Sequence, residues 1–241
     1  MEKVLVTGAT GRLGANLVKA LLDRGYEVRA FVMKGDPDEK KLEGLDCEIF
    51  YGNFLETETI EKAVEGCDRV LHMGCVMYRP ATMPETTYWN LNVTGTFVLA
   101  RAAARNKVKR YVYASTDSTY DATWWMHLPI EESHPQNPTS LYGTHKICGE
   151  QIAWGAMREL GLPATVTRFA SIMVADEILN FFTMRYVLAM CKGAMKEYSN
   201  INPNHVPDTF VPVEEAMKDP LQLCIPRGRD FRSWRFHISD V

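Results

Sequence analysis

The sequence predicts an α/β fold, a doubly wound parallel sheet with helices on both faces. Three observations predict it. Short runs rich in valine, isoleucine and aromatic residues alternate with longer stretches of helical periodicity, the pattern of βαβ units. The first run turns at closely spaced glycines straight into a helix. And 241 residues, 46% hydrophobic and 24% charged, suffice for one substantial core and a small appended lobe.

Taken in order, strands are expected near Val4 to Val6, Glu27 to Val32, Cys47 to Tyr51, Arg69 to His72, Arg110 to Ala114 and Ala164 to Arg168. Helices are expected from Leu13 to Arg24, stopped by Gly25, and from Thr57 to Glu65, stopped by Gly66. A third runs roughly from Glu85 to Arg105, and a fourth from about Leu141 to Leu160, with Gly161 and Pro163 as stop signals. The segment Asp121 to Ser140, rich in proline, tryptophan and histidine, reads as a long loop beyond the fifth strand, where parallel sheets bind ligands. After Arg168 the alternation is lost and prolines recur at 203, 207, 212, 220 and 226.

Composition narrows the function classes. A net charge of -3, with no dense basic run, does not match a phosphate backbone, so nucleic acid is not an expected partner. No apolar stretch approaches the length of a membrane span, so no membrane association is expected. MEKVLVTGAT runs directly into a strand without the features of a leader. The six cysteines (Cys47, Cys67, Cys75, Cys148, Cys191, Cys224) form no CxxC pair, and no histidine stands at ligand spacing. Free thiols in a reducing cytoplasm are expected, with no disulfide and no metal.

In VLVTGATGRLG the first strand turns at Gly8 into a helix opening near Gly11 to Gly14, so backbone amides and a helix N-terminus point at one place. That place suits a pyrophosphate. The spacing is GxxGxxG rather than GxGxxG. TGATGRLG resembles the nucleotide loop of the short-chain dehydrogenase superfamily, in its extended branch of nucleotide-sugar epimerases and dehydratases.

The resemblance implies a Rossmann-type sheet, NAD or NADP as cofactor, and cofactor contacts from Gly8, Thr10, Gly11, Arg12, Leu13 and Gly14. At the end of the second strand Lys34, with Arg12, favours the 2'-phosphate of NADP, whereas Asp36 favours the 2'-hydroxyl of NAD; the choice stays open. YGNFLETETIEKAVEGCDRVLHMG resembles the stretch in which an acid after the third strand bonds adenine. Asn53 stands there and can both donate and accept. Phe54 and Gly74 complete the implied cofactor set, and His72 is expected as a packed residue near it.

Tyr142 and Lys146 stand in YGTHK at i and i+4, hence on one helix face. A phenol of ordinary pKa about 10 is a poor base at neutral pH. A nearby ammonium and an oxidised nicotinamide would favour the phenolate, and the lysine can also hold the nicotinamide ribose. Before that helix, RYVYASTDSTY delivers Ser115, Thr116 and Asp117 to the carboxyl edge of the sheet. Thr116 falls at the position that is catalytic serine or threonine in the family, with Ser115 the fallback. Thr116, Tyr142 and Lys146 are the expected catalytic trio. Ser115, Asp117 and Ser171 are candidate substrate contacts, Tyr142 and Lys146 double as cofactor contacts, and His145 is expected to face outwards.

The departures matter too. STD is followed by Ser118 where the dehydratase motif STDE has glutamate, which disfavours elimination. RFASIMVADE replaces the usual glycine-proline turn after the sixth strand. HISDV at the end resembles the HVDDV motif that precedes further elements in relatives, so either the chain is shortened or its last lobe is reduced. Trp124, Trp125, His127 and His134 could line a pocket, although anchoring a loop is the commoner job for tryptophan.

The expected organisation is a dinucleotide-binding domain over residues 1–170 and a small C-terminal substrate lobe over 171–241, with HISDV returning to the sheet. The expected activity is NAD(P)-dependent hydride transfer at a carbinol or carbonyl carbon, with a sugar or nucleotide-sugar as first substrate. Two alternatives stand beside it. One is a reductase of a non-sugar ketone or aldehyde, resembling the dihydroflavonol-reductase group, whose second strand also reads much like EVRAFV. The other is a nicotinamide-binding regulatory protein without turnover. By family analogy the helices over 85–105 and 141–160 pair across a two-fold axis into a homodimer.

Overall fold

The computed structural model describes residues 1–121, 123, 126, 129–170 and 172. Their centre is a six-stranded sheet, β1 (Lys3–Thr7), β2 (Glu27–Val32), β3 (Glu48–Tyr51), β4 (Arg69–His72), β5 (Arg110–Thr116) and β6 (Ala164–Phe169), in the order β3-β2-β1-β4-β5-β6. Every neighbouring pair is parallel. The chain winds outward from β1 to β3, then crosses back to lay β4 on the other side of β1. Such a reversal opens a crevice at the carboxyl ends of β1 and β4.

The side-chain period of two along β1 divides the core. Val4 and Val6 join Leu17, Val18, Val28, Ala30 and Val32 on one face, while Leu5 joins Ile60, Val64, Val70, Leu99, Tyr111 and Tyr113 on the other. Five α-helices flank the strands: α1 (Arg12–Asp23), α2 (Thr57–Val64), α3 (Glu85–Trp89), α4 (Gly95–Arg105) and α5 (Leu141–Leu160). None is long and apolar enough to cross a membrane.

β2, β4 and α5 have the bounds the sequence predicts, and β5 runs two residues further than expected, which puts Ser115 and Thr116 inside the strand. The single helix expected over 85–105 is interrupted by a π-helical turn, Asn90–Thr94, between α3 and α4. The Thr96 hydroxyl donates to the Asn92 carbonyl at 2.7 Å, the kind of side-chain insertion that widens a helical turn. Two 3-10 turns, Pro37–Leu42 and Asp117–Tyr120, are too short to leave a periodic signal.

By its contacts the chain divides into two units, and Met1–His127 with Ser133–Ala170 carries every element above. The other, Leu128–Glu132 with Ser171–Val241, lies almost wholly outside the described residues. Ser171, Trp124, Trp125, His127 and HISDV lie outside them as well.

Candidate active site

The glycine loop is built by close approach. Gly8 has φ +63°, a conformation costly for any residue with a Cβ, and a Cβ there would stand 2.6 Å from the Gly74 Cα. A Cβ on Gly14 would stand 2.0 Å from the Gly8 carbonyl oxygen, so α1 begins against the turn itself. Gly11 is the N-cap of α1, and no side chain caps the helix there. A helix N-terminus without a side-chain cap is the kind of place that suits an anion. Thr10 donates to Asp36 Oδ2 at 2.7 Å, while Asp36 Oδ1 accepts from the Asp38 amide at 2.9 Å. The carboxylate at the end of β2 is thus fixed to the glycine loop, with Lys34 exposed beside it and Arg12 opening α1.

Beneath the loop runs a buried hydrogen-bond chain. The Gly74 amide donates to Thr7 Oγ1 (3.2 Å), which lies 2.7 Å from His72 Nδ1, and His72 Nε2 lies 2.8 Å from Thr96 Oγ1. Burial pulls the His72 pKa down to about 3, so the ring is neutral. Because Thr96 spends its proton on Asn92, it must accept from Nε2–H, and Nδ1 of the neutral ring then accepts from Thr7. Asn92 continues the chain: its Oδ1 accepts from the Val76 amide, and its Nδ2 donates to the Val76 carbonyl and to His145 Nδ1 (3.3 Å). Together these bonds pin the strand-to-loop segment that passes Gly74.

His145 corrects an expectation. It is 3% exposed rather than facing outwards, and its ring packs on Tyr88 and edge-on against Trp89. One position from Lys146 on α5, it turns to the α3 side because the helix is buried on more than one face, which a two-sided periodicity hides. Burial holds its pKa low.

The predicted trio comes together at the carboxyl end of β5. Lys146, 4% exposed, donates to the Ala114 carbonyl at 2.8 Å, and its Nζ lies 5.7 Å from the centre of the Tyr142 ring and 5.1 Å from that of Tyr113. Thr116 donates to Asp117 Oδ1 (3.1 Å) and accepts from the Ser118 amide (3.2 Å). Burial pushes the Tyr142 phenol well above its ordinary value, and contact with Thr116 works against that rise. The phenol is thus held protonated here. Cys75, directly after Gly74, lies beside Lys146, which brings the trio to the edge of the glycine loop.

Ser115 is differently employed. Its hydroxyl donates to Glu150, a fully buried carboxylate on α5 that also receives Arg168 Nε (2.9 Å), Arg168 Nη2 (2.7 Å) and Gln136 Nε2 (2.9 Å). Arg168 further donates to the Tyr120 hydroxyl. The ion pair raises the guanidinium's pKa against the opposing effect of burial.

Other candidates have local duties. Asn53 Oδ1 accepts from the Leu55 amide at 3.0 Å, which leaves its amide nitrogen as the group to offer a base. Phe54 stacks on His72 and meets Phe31 edge-on, so its ring belongs to the core. Leu13 sits half-buried in the first turn of α1. His134 is buried, bonds the Thr123 carbonyl at 2.7 Å and meets Tyr120 edge-on, which anchors its loop. Sequence reasoning passed over Asn92, Cys75, Glu150 and Arg168. Of these only Glu150 left a signal, as a charge four residues beyond Lys146 on the same helix face.

Comparison with known proteins adds to this geometry. Residues 4–191 match the NAD dependent epimerase/dehydratase family. The chain is 32% identical over 234 residues to sterol demethylase protein B of Methylococcus capsulatus, covering 93% of this chain and 66% of that protein. It is 31% identical over 172 residues to dihydroflavonol 4-reductase of Dianthus caryophyllus, covering 64% and 47%. Among solved structures it is similar to a short-chain dehydrogenase/reductase superfamily protein from Agrobacterium tumefaciens with bound NAD. That match has a TM-score of 0.68 and 29% identity, and covers 81% of this chain and 60% of that one. The UDP-glucose 4-epimerase of Thermus thermophilus shares the fold, with a TM-score of 0.63 at 24% identity over 69% and 54%. The chain thus spans about half to two thirds of the length of these relatives. With its parallel sheet, glycine turn and YxxxK helix matched along most of its length, it belongs to the NAD dependent epimerase/dehydratase family.

Proposed function

We propose that this chain is an NAD(P)-dependent oxidoreductase that moves hydride to or from a carbinol or carbonyl carbon, with Thr116, Tyr142 and Lys146 handling the substrate oxygen. The observation that carries the reading is the meeting of Tyr142, Thr116 and Lys146 beside Cys75, one residue from the Gly74 against which the glycine loop is packed. The cofactor fits: an uncapped helix N-terminus and a turn too tight for any Cβ suit a pyrophosphate. Gly8, Thr10, Gly11, Arg12, Leu13 and Gly14 would hold it, with Lys34 and Asn53 around its adenosine half, Phe54 and Gly74 completing the set, and Lys146 at the nicotinamide ribose.

When bound, the nicotinamide supplies or accepts the hydride. Tyr142, protonated in its buried setting, gives its proton to a carbonyl oxygen in the reducing direction; in the other it must first lose that proton to solvent, and the phenolate then takes one from the substrate hydroxyl. Thr116 turns the proton it gives Asp117 in this structure to the same oxygen and orients it. The Lys146 charge stabilises the phenolate left behind until solvent reprotonates it. With Ser118 where the dehydratases place glutamate, elimination has no second acid on this turn.

The named relatives divide on substrate. Dihydroflavonol 4-reductase and cinnamoyl-CoA reductase, at 31% and 30% identity, support reduction of a non-sugar ketone or aldehyde, while the epimerases at lower identity support only the fold. A small-molecule carbonyl compound is the preferred substrate class, and a sugar or nucleotide-sugar the second. The substrate lobe over 171–241, with Ser171, belongs to the same reading. So does a cytoplasmic homodimer paired through α4 and α5, where Phe97, Leu141 and Leu160 are exposed.

The deciding experiment titrates purified protein and its Tyr142→Phe variant with NAD, NADP and their reduced forms, followed by nicotinamide fluorescence. A panel of ketones, aldehydes and nucleotide-sugars is then assayed. Tight binding of one cofactor by both proteins, with turnover cut by about 10² to 10⁴ only in the variant, is expected. Folded protein that binds no nicotinamide would sink the reading.

A further inference from the structure

We propose that Glu150 and Arg168 are positioning residues for the reaction: their buried ion pair sets the register of α5 on β5, so that Thr116 and not Ser115 is the hydroxyl held beside Tyr142. The inference rests on the reading above and adds the groups that place its trio.

Three consecutive residues of β5 each meet one of three residues spaced four apart on α5. The Ala114 carbonyl accepts from Lys146, the Ser115 hydroxyl donates to Glu150, and Thr116 touches Tyr142. That spacing puts Tyr142, Lys146 and Glu150 on one helix face. Slippage of α5 along β5 would break all three contacts together.

What opposes slippage is the carboxylate. Glu150 Oε1 receives Ser115 and Arg168 Nε, and Oε2 receives Gln136 and Arg168 Nη2, so β5, β6 and the segment leading into α5 converge on one fully buried group. Arg168 extends the reach to Tyr120 in the turn after β5. A buried ion pair is a weak source of stability, because both ions lose their water. It is a strong source of orientation, because a planar fork on a planar carboxylate tolerates little displacement. The pair also occupies Ser115, which removes the neighbouring hydroxyl from competition with Thr116.

The test replaces both ions at once, as Glu150→Met with Arg168→Met. This leaves the net charge unchanged, and Thr116→Val in the parent gives the reference for a lost Thr116 contact. The measurements are thermal unfolding, affinity for NADH and NADPH, and the carbon-13 NMR signal of the Tyr142 phenol carbon, assigned by its loss in Tyr142→Phe. The expected double variant is folded and binds the parent's cofactor within about twofold, while its Tyr142 signal moves in the direction in which Thr116→Val moves it. A Tyr142 signal that stays at the parent's position in a folded, cofactor-binding double variant overturns the proposal. Should the double variant unfold, Arg168→Lys decides: it keeps the charge and loses the fork, and it must move the signal in the same sense or the proposal fails. The NMR measurement needs no cofactor, so a parent that binds neither NADH nor NADPH defeats the proposed function separately.

Discussion

Ser115 and Thr116 offer the same chemistry one position apart, and their partners tell them apart. Ser115 spends its proton on Glu150, whereas Thr116 sits between the Ser118 amide, Asp117 and Tyr142. Thr116→Val should lower turnover by about 10² to 10³, the usual loss for one donor to a reacting oxygen, with cofactor affinity kept. Ser115→Ala should leave turnover within a few-fold and instead destabilise the fold by about 1 to 3 kcal/mol, because a buried acceptor loses a donor. Steady-state kinetics beside chemical unfolding would separate the two, and the reverse pattern would make Ser115 the catalytic hydroxyl. The sequence marks Tyr142 and Lys146 by their spacing and Thr116 by its place at a strand end. It marks Glu150 only as a charge one turn beyond Lys146 and does not mark Arg168 or Asn92; the side-chain partners of all three lie 14 to 53 residues away and are chosen by the register of packed elements.

Helix α5 carries much of the site, and one close contact sets its height above the sheet. A Cβ on Gly149 would stand 2.1 Å from the Tyr113 hydroxyl oxygen, so the helix lies directly on that phenol. Gly149→Ala should lift α5, costing about 1 to 3 kcal/mol for an overpacked core, and should cut turnover more than cofactor affinity. Double replacement with Tyr113→Phe should restore part of both; no rescue would place the clash elsewhere. β2 and β4 were legible in the sequence as short apolar runs, and α5 by its length and its stop at Gly161 and Pro163. The π-helical turn at Asn90–Thr94 was not, since the bonds that accompany it, from Asn92 to Val76 and from Thr96 to the Asn92 carbonyl, leave no mark on the hydrophobic period.

At the scale of the whole molecule, the neutral histidine chain links stability to pH. His72 joins β1, β4 and α4 through Thr7 and Thr96, and its pKa falls from 6.5 to about 3 on folding. The unfolded chain therefore binds more protons than the folded one between those values, so stability is intact above pH 6.5 and declines as pH falls towards 3, by up to about 1.4 kcal/mol per unit. Unfolding temperatures measured across this window should drop more steeply for the parent than for His72→Gln, although the variant starts lower. Equal slopes would mean that His72 does not carry the dependence.

The strand order has a consequence for how the chain is made. Thr7 meets His72 across 65 residues, and Ser115 meets Glu150 across another 35, so neither half of the sheet holds a working crevice. The phosphate turn after β1 leaves the ribosome first, yet it lacks its floor until β4 is laid beside it and its chemistry until α5 docks. A nascent chain halted between β4 and α5 would carry the proposed place for the phosphates and nothing to do with them.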